Sequence, residues 1–339
     1  MRWQTQELYL RQMLARQLEI PVVGKIFFVF PTVSSTSMYG EWMKREMDIP
    51  SALTFEGTNA VLNAYNATTA YRNDVLLVAP GAHALTAELD WTKSNTHLVG
   101  MAGPNALSDY SEPGVSIYTI TANVAQTVDL TGNYCQFRGA NFTNNCDDAD
   151  NLAAFNVNGY GAYFKNCSFH GIMGSTQGST VVCASLYIDS LGSGYRFDDC
   201  VIGQNQWVVR TGALQGHVRY INTSGTSSAN GRFNDCTFLS ASETVTSAMV
   251  AIPHVLATDR FHLFNRCVFT NFSVNWGIRL NQVFYNAGAM QTTDILLKDC
   301  AAYGFDEWQD SDLGTMYESN MPVATVGGGL AKEPTAVVS

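Results

Sequence analysis

The chain is poor in charge. Only 14% of its 339 residues are Asp, Glu, Lys or Arg, against about 25% in an ordinary globular protein, so surface polarity has to come from Asn, Ser, Thr and Gly. Net charge is −10 and no Lys/Arg cluster appears, which argues against binding duplex nucleic acid by neutralising phosphates. No apolar run approaches the roughly 18 residues of a membrane span. The opening Met1-Arg2-Trp3-Gln4 begins a polar segment and not a secretory leader. There is no P-loop, no nucleophile elbow, no H-E-x-x-H and no calcium-binding solenoid nonapeptide. Eight cysteines are present (Cys135, Cys146, Cys167, Cys183, Cys200, Cys236, Cys267 and Cys300), yet no C-x-x-C pair, so the usual metal and redox signatures are missing. These absences predict a chain with no catalytic residues, no cofactor and no metal.

What is present is a repeated phrase. Phe164-Lys165-Asn166-Cys167-Ser168-Phe169 returns as Phe197-Asp198-Asp199-Cys200-Val201-Ile202, as Phe233-Asn234-Asp235-Cys236-Thr237-Phe238, as Phe264-Asn265-Arg266-Cys267-Val268-Phe269, and as Leu297-Lys298-Asp299-Cys300-Ala301-Ala302. The cysteines fall 33, 36, 31 and 33 residues apart. A worn copy, Phe137-Arg138-Gly139-Ala140-Asn141-Phe142, precedes them, and Val99-Gly100-Met101 is fainter still. Such a period marks a repeat architecture in which each unit buries its apolar face against its neighbours.

The phrase contains its own bend. Side chains alternate faces along a strand, and the phenylalanine and cysteine positions are three apart. Both can face inward only if the chain turns between them. Gly100, Gly139, Asn166, Asp199, Asp235, Arg266 and Asp299 stand at that corner, and all but Arg266 are of the types that best tolerate a left-handed backbone. A strand, a two-residue left-handed corner and a second short strand describe one coil of a solenoid. Cysteines stacked on successive coils lie about 4.8 Å apart, wider than the roughly 3.5–4.5 Å Cβ separation of a disulfide. Cys167, Cys200, Cys236, Cys267 and Cys300 are therefore expected to form a ladder of buried, reduced thiols, and folding in a reducing compartment follows.

At this point residues 75–305 resemble the right-handed parallel β-helix of the pectin-lyase-like proteins. The resemblance implies an all-β solenoid of about seven coils over residues 25–310. A helical arm at 1–24 would precede it and an extended tail at 311–339 would follow. Leu10, Leu14 and Leu18 share one face of that helix. It either packs on its own chain or docks on a partner through Trp3, Tyr9, Leu10, Leu14 and Leu18. A short helix over 58–69 is placed to cap the first coil.

The N-terminal layout, Gly24-Lys25-Ile26-Phe27-Phe28-Val29, a helix, Asp74-Val75-Leu76-Leu77-Val78-Ala79-Pro80-Gly81 and Thr96-His97-Leu98-Val99-Gly100-Met101, is similar to β-helical virion proteins of tailed bacteriophages. That resemblance implies a virion protein assembled in the host cytoplasm. Its expected form is a homotrimeric capsid decoration or cement protein bound to the major capsid protein, with neither nucleic acid nor membrane as partner. The alternative is a tailspike-type polysaccharide depolymerase, hydrolase or lyase, or a receptor-binding fibre domain without catalysis.

Candidate chemistry is sparse. Asp199 and Asp235 fall on neighbouring corners with Asp198 beside them, although the corner alone explains their identity. Asp189, Arg219, Asn222 and Arg279 could share a lyase-like face. The six histidines show no common spacing and read as turn or surface residues. Trp207, Trp276, Trp308 and Tyr285 could stack on sugars, fill an interface or belong to the core.

Overall fold

The computed structural model describes residues 2–31, 46–101, 114–203, 209–254, 258–272, 278–286, 293–309 and 315–319. Every strand pairing among them is parallel, and the strands form three sheets, I, II and III, of twelve, eight and eight strands. The coil carrying Cys167 shows the pattern. Tyr163–Lys165 lies in sheet I, Ser168–His170 in sheet II and Leu186–Ile188 in sheet III. The next coil lays Phe197 on Phe164, Ile202 on Phe169 and Tyr220 on Ile188. Sheets II and III thus define eight complete coils, one more than expected. Sheet I also runs past residue 310. Thr315–Ser319 pairs with Asp294–Lys298, so a boundary drawn at 310 cuts through a ninth coil that has begun.

The corners turn on one residue. Gly139, Asn166, Asp199, Asp235, Arg266 and Asp299 have φ between 51° and 65°, and the residue following each is not left-handed, so the two-residue bend is corrected to one. From Gly139 to Arg266 each corner N–H donates to a carbonyl one coil on, as from Asn166 to Asp198 and from Asp199 to Asn234, both at 3.0 Å. Gly100 is not a corner: it ends the strand Thr96–Gly100, and glycine is needed there because a Cβ would strike the Gly139 carbonyl. A second left-handed column, not foreseen, precedes sheet I at Asn95, Tyr134, Gly161, Gly194 and Asn230.

Inside the corners the expected ladder is present. All five cysteines are 0–1% exposed and unpaired, with Ala140 heading the column. Cys167, Cys236, Cys267 and Cys300 each give Sγ–H to the carbonyl of a phenylalanine one coil back, at 3.3–3.5 Å. Burial pushes the Cys167 and Cys236 thiols well up, which keeps them protonated. Beside them Phe137, Phe164, Phe197, Phe233 and Phe264 stack face to face with centroids 4.4–5.2 Å apart. Each such pair adds about 0.5–1.5 kcal/mol beyond its buried area.

The N-terminal end is closed twice. Helix Ala60–Ala67 buries Ala60, Val61, Ala64 and Tyr65 over the first coil, with Tyr65 on Trp91 at 4.5 Å. Strand Ile26–Phe30 is apolar throughout because both its faces are covered. Phe27 and Val29 join the solenoid core, while Ile26, Phe28 and Phe30 meet Leu14 and Leu18 of helix Arg2–Leu18. Of the five residues expected at a partner interface, Leu14 and Leu18 are fully buried against the chain's own sheet I. Trp3 sits edge-on to Phe28 at 5.6 Å, Leu10 is partly covered, and Tyr9 alone stands open at 71% exposure. The described part of residues 1–24 is thus a packed element and not a projecting arm.

Candidate functional site

Along the outer face of sheet III the parallel register lines up one residue from each coil. Asp90 pairs with Asp129, Asp129 with Asn156, Asn156 with Tyr187, Tyr187 with Arg219, Arg219 with Ala251, and Ala251 with Tyr285. The strands hold this row outward because their alternate residues, Leu89 and Trp91, Val128 and Leu130, Phe155 and Val157, are locked into the core.

The row begins with a cluster of acids. Glu88, two residues before Asp90 on the same chain segment, joins Asp90 and Asp129 so that a carboxylate oxygen from each lies within 4.8 Å of the others. Glu88 Oε2 accepts the Gln126 N–H at 2.9 Å. Half-burial, reinforced by the charges of Asp129 and Asp90, pushes Glu88 up to about 7. Burial also raises Asp129, against the Asn156 amide that donates to its Oδ1 at 2.8 Å. Like charges this close cannot all ionise freely, so the cluster keeps a proton at neutral pH. The arrangement can donate and accept protons on one exposed surface. The same three carboxylates are also the described residues best placed for a hard cation. Farther along, the Tyr187 hydroxyl donates to the Val182 carbonyl and Arg219 to the Val181 carbonyl. The segment through Val181 and Val182 thereby covers the row and walls off the cluster on that side.

The acids singled out in the sequence have other work. Asp198, Asp199 and Asp235 do come together in a surface groove of about 380 Å3 on sheet I with Lys165, Arg196, Arg232, Asn234 and Arg266. Asp198 accepts from Arg196, Asn234 and Tyr163, each at 2.8 Å. Burial would raise it, but these three donors together hold it below the usual range. Asp235 is clamped by both ends of Arg266. Asp198 is therefore no proton donor. Asp189 is 2% exposed and is consumed by the backbone and hydroxyls of Ser190 and Thr223. Asn222 closes a turn on Gly225, and Arg279 holds the Phe305 carbonyl, so of that foursome only Arg219 reaches the sheet III row.

The histidines are corrected more sharply. His83, His97, His170, His217 and His262 are all 5% exposed or less, four of them within strands, and His254 alone is exposed. Trp308 is buried and Tyr285 half-buried, while Trp207 and Trp276 lie outside the described residues. The decisive acids, Glu88, Asp90 and Asp129, went unnoticed because their partnership depends on register across the long excursion after Gly100. The alternation of Glu88 and Asp90 around Leu89 was the available signal.

No protein-family model matches the chain, and no curated protein matches its sequence. Solved structures do match, among them three with a TM-score of 0.50. A pectin methylesterase in complex with hexasaccharide VII shares 14% identity over 91% of this chain and 92% of its own. A pectate lyase shares 12% over 94% and 82%. The ORF18 protein of Geobacillus virus E2 shares 15% over 82% of this chain and 56% of its own. The chain is a right-handed parallel β-helix. At such identities the likeness establishes the fold. It still overturns the expectation of a chain without catalysis, since two of these three β-helices are polysaccharide-modifying enzymes and this one carries a proton-sharing carboxyl cluster. None of these likenesses speaks to capsid decoration, cementing or trimer formation. No helix among the described residues is long and apolar enough to cross a membrane.

Proposed function

We propose that this β-helix is a carbohydrate-active virion protein of the tailspike type, cleaving a host polysaccharide on the outer face of sheet III. The observation that carries the reading is the Glu88–Asp90–Asp129 cluster, with one carboxyl pushed up to about 7 beside two others. Perturbed acids in an exposed cluster are where proton-transfer chemistry is found. Support for the setting comes from the fold shared with pectin-modifying enzymes and a virus protein.

Glycoside cleavage needs a protonated carboxyl at the leaving oxygen and a second carboxylate at the anomeric carbon, about 5–5.5 Å apart when configuration is retained. Glu88 holds the proton that the leaving oxygen requires. Asp90, exposed and adjacent, is the carboxylate that reaches the sugar. Asp129, fixed by the Asn156 amide, keeps the proton on Glu88 by its charge. The covered stretch over Tyr187 and Arg219 bounds the cleft and limits how far the glycan extends along the row.

The test is release of reducing ends from a panel of bacterial surface polysaccharides, with absorbance of unsaturated sugars followed in parallel. Cleavage is expected to fall about 10²–10⁴-fold in Glu88→Gln and comparably in Asp90→Asn, with the fold unchanged by circular dichroism. Equal turnover by wild type and both variants sinks the assignment. So does a wild type that is inert on polysaccharides from hosts to which the parent particle adsorbs.

A further inference from the structure

Arg210 lies where sheet II hands over to sheet III, and it is 0% exposed. Its two terminal nitrogens donate to neutral carbonyls, of Gln215 at 3.2 Å and of Ala248 at 2.8 Å. Its Nε–H has no acceptor. No carboxylate among the described residues pairs with it, and burial, the sole influence on it, lowers it only to about 9, so it is charged at neutral pH. An unpaired cation removed from water costs several kcal/mol, and arginine has little recourse to deprotonation.

A second orphan donor is close by, on the segment whose Gln215 carbonyl Arg210 already holds, two residues further along. His217, also 0% exposed, has Nδ1 2.9 Å from the Ser185 hydroxyl. That hydroxyl oxygen accepts the Gly171 N–H at 3.2 Å, and His217 Nδ1 is the one acceptor among the described residues within reach of the hydroxyl's own proton, so the proton goes there. The ring proton is then on Nε2, and this N–H is without a partner. Burial, reinforced by the positive charge of Arg210, pushes His217 well down and keeps it neutral, while His170 Nδ1 is spent on the Gly203 carbonyl at 2.7 Å. Two buried N–H groups, one of them cationic, are therefore left open in one electropositive junction. A water would satisfy their hydrogen bonds but not the charge.

We propose that this junction binds a small inorganic anion of chloride size, held between Arg210 Nε–H and His217 Nε2–H as the missing counter-ion of the buried guanidinium. The anion pins the turns between sheets II and III in two successive coils, holding Arg210 and His217 of one and, through the Arg210 guanidinium, the Ala248 carbonyl of the next. It lies apart from the Glu88 cluster and is independent of the proposed cleavage.

The full chain is to be melted in sodium chloride, bromide or gluconate at constant ionic strength, beside Arg210→Met, which keeps the side-chain volume and removes the charge. The wild-type melting temperature is expected to climb with chloride and bromide over gluconate, as a ligand bound only to the folded state requires, and Arg210→Met to lose that dependence. A crystal of the wild type grown in bromide is expected to show an anomalous peak within hydrogen-bonding distance of Arg210 Nε. The crystal decides the matter even if Arg210→Met does not fold. Halide dependence that is absent, or unchanged in Arg210→Met, overturns the proposal, as does a bromide crystal with peaks at the surface alone or water alone at the junction.

Discussion

Glu88 binds two properties together. Its folded value of about 7 lies above the ordinary carboxyl range. Below its unfolded value near 4.3 the group is protonated in both states and its contribution to stability is fully present. That contribution is lost as pH rises through 7. Cleavage that needs the protonated acid should fade over the same range, giving an alkaline limb near pH 7 in kcat/KM. Removing the Asp129 charge in Asp129→Asn takes away one cause of the shift, so the limb should move toward lower pH. A limb that stays put would mean that burial alone sets the value. A conspicuous motif would not have revealed this residue. Its perturbation comes first from burial and then from Asp129, 41 positions away in the chain, which only the paired register of two coils makes a neighbour.

At the scale of elements, the corner is the part most plainly written in the chain. The inward phenylalanine and cysteine could share a face only across a bend, and Gly, Asn or Asp at the bend named its conformation. Asn166 has φ 51°, so Asn166→Ala should cost on the order of 1 kcal/mol from the left-handed clash, and Asn166→Gly close to nothing, read from urea midpoints. The second left-handed column escaped notice because Tyr134 and two glycines break its chemical uniformity. The N-terminal helix was ambiguous for a different reason: an apolar stripe says that something covers it, not what. Phe28 and Phe30 supply the cover. Leu14→Ala should cost about 2–5 kcal/mol as a buried cavity, seen as a lower unfolding midpoint. Little change would mean that the helix is docked loosely and is free for a partner.

For the whole molecule, the buried histidines set an acid limit. Burial lowers His83, His97 and His262 to about 4, against about 6.5 when unfolded. Between these values the unfolded chain binds more protons, so stability is full above pH 6.5 and is lost as pH falls toward 4. Three such groups give a slope of up to about 4 kcal/mol per pH unit near pH 5. Glu88 runs the opposite way in part of this window, and Glu88→Gln should therefore sharpen the acid loss. Melting temperatures from pH 4 to 8 check both. The buried histidines are not legible in the sequence because most sit within short strands, where a ring with one or two hydrogen-bond partners is covered without leaving a periodic trace.

The two columns of left-handed residues tie each coil to the next through backbone N–H···O bonds, and the Cys-to-Cys interval still varies between 31 and 36 residues. The excursions between columns are thus free to be traded. They can be lengthened, shortened or exchanged while the inner wall is left alone. Descendants of such a chain are expected to diverge in their decorations long before they diverge in their rungs.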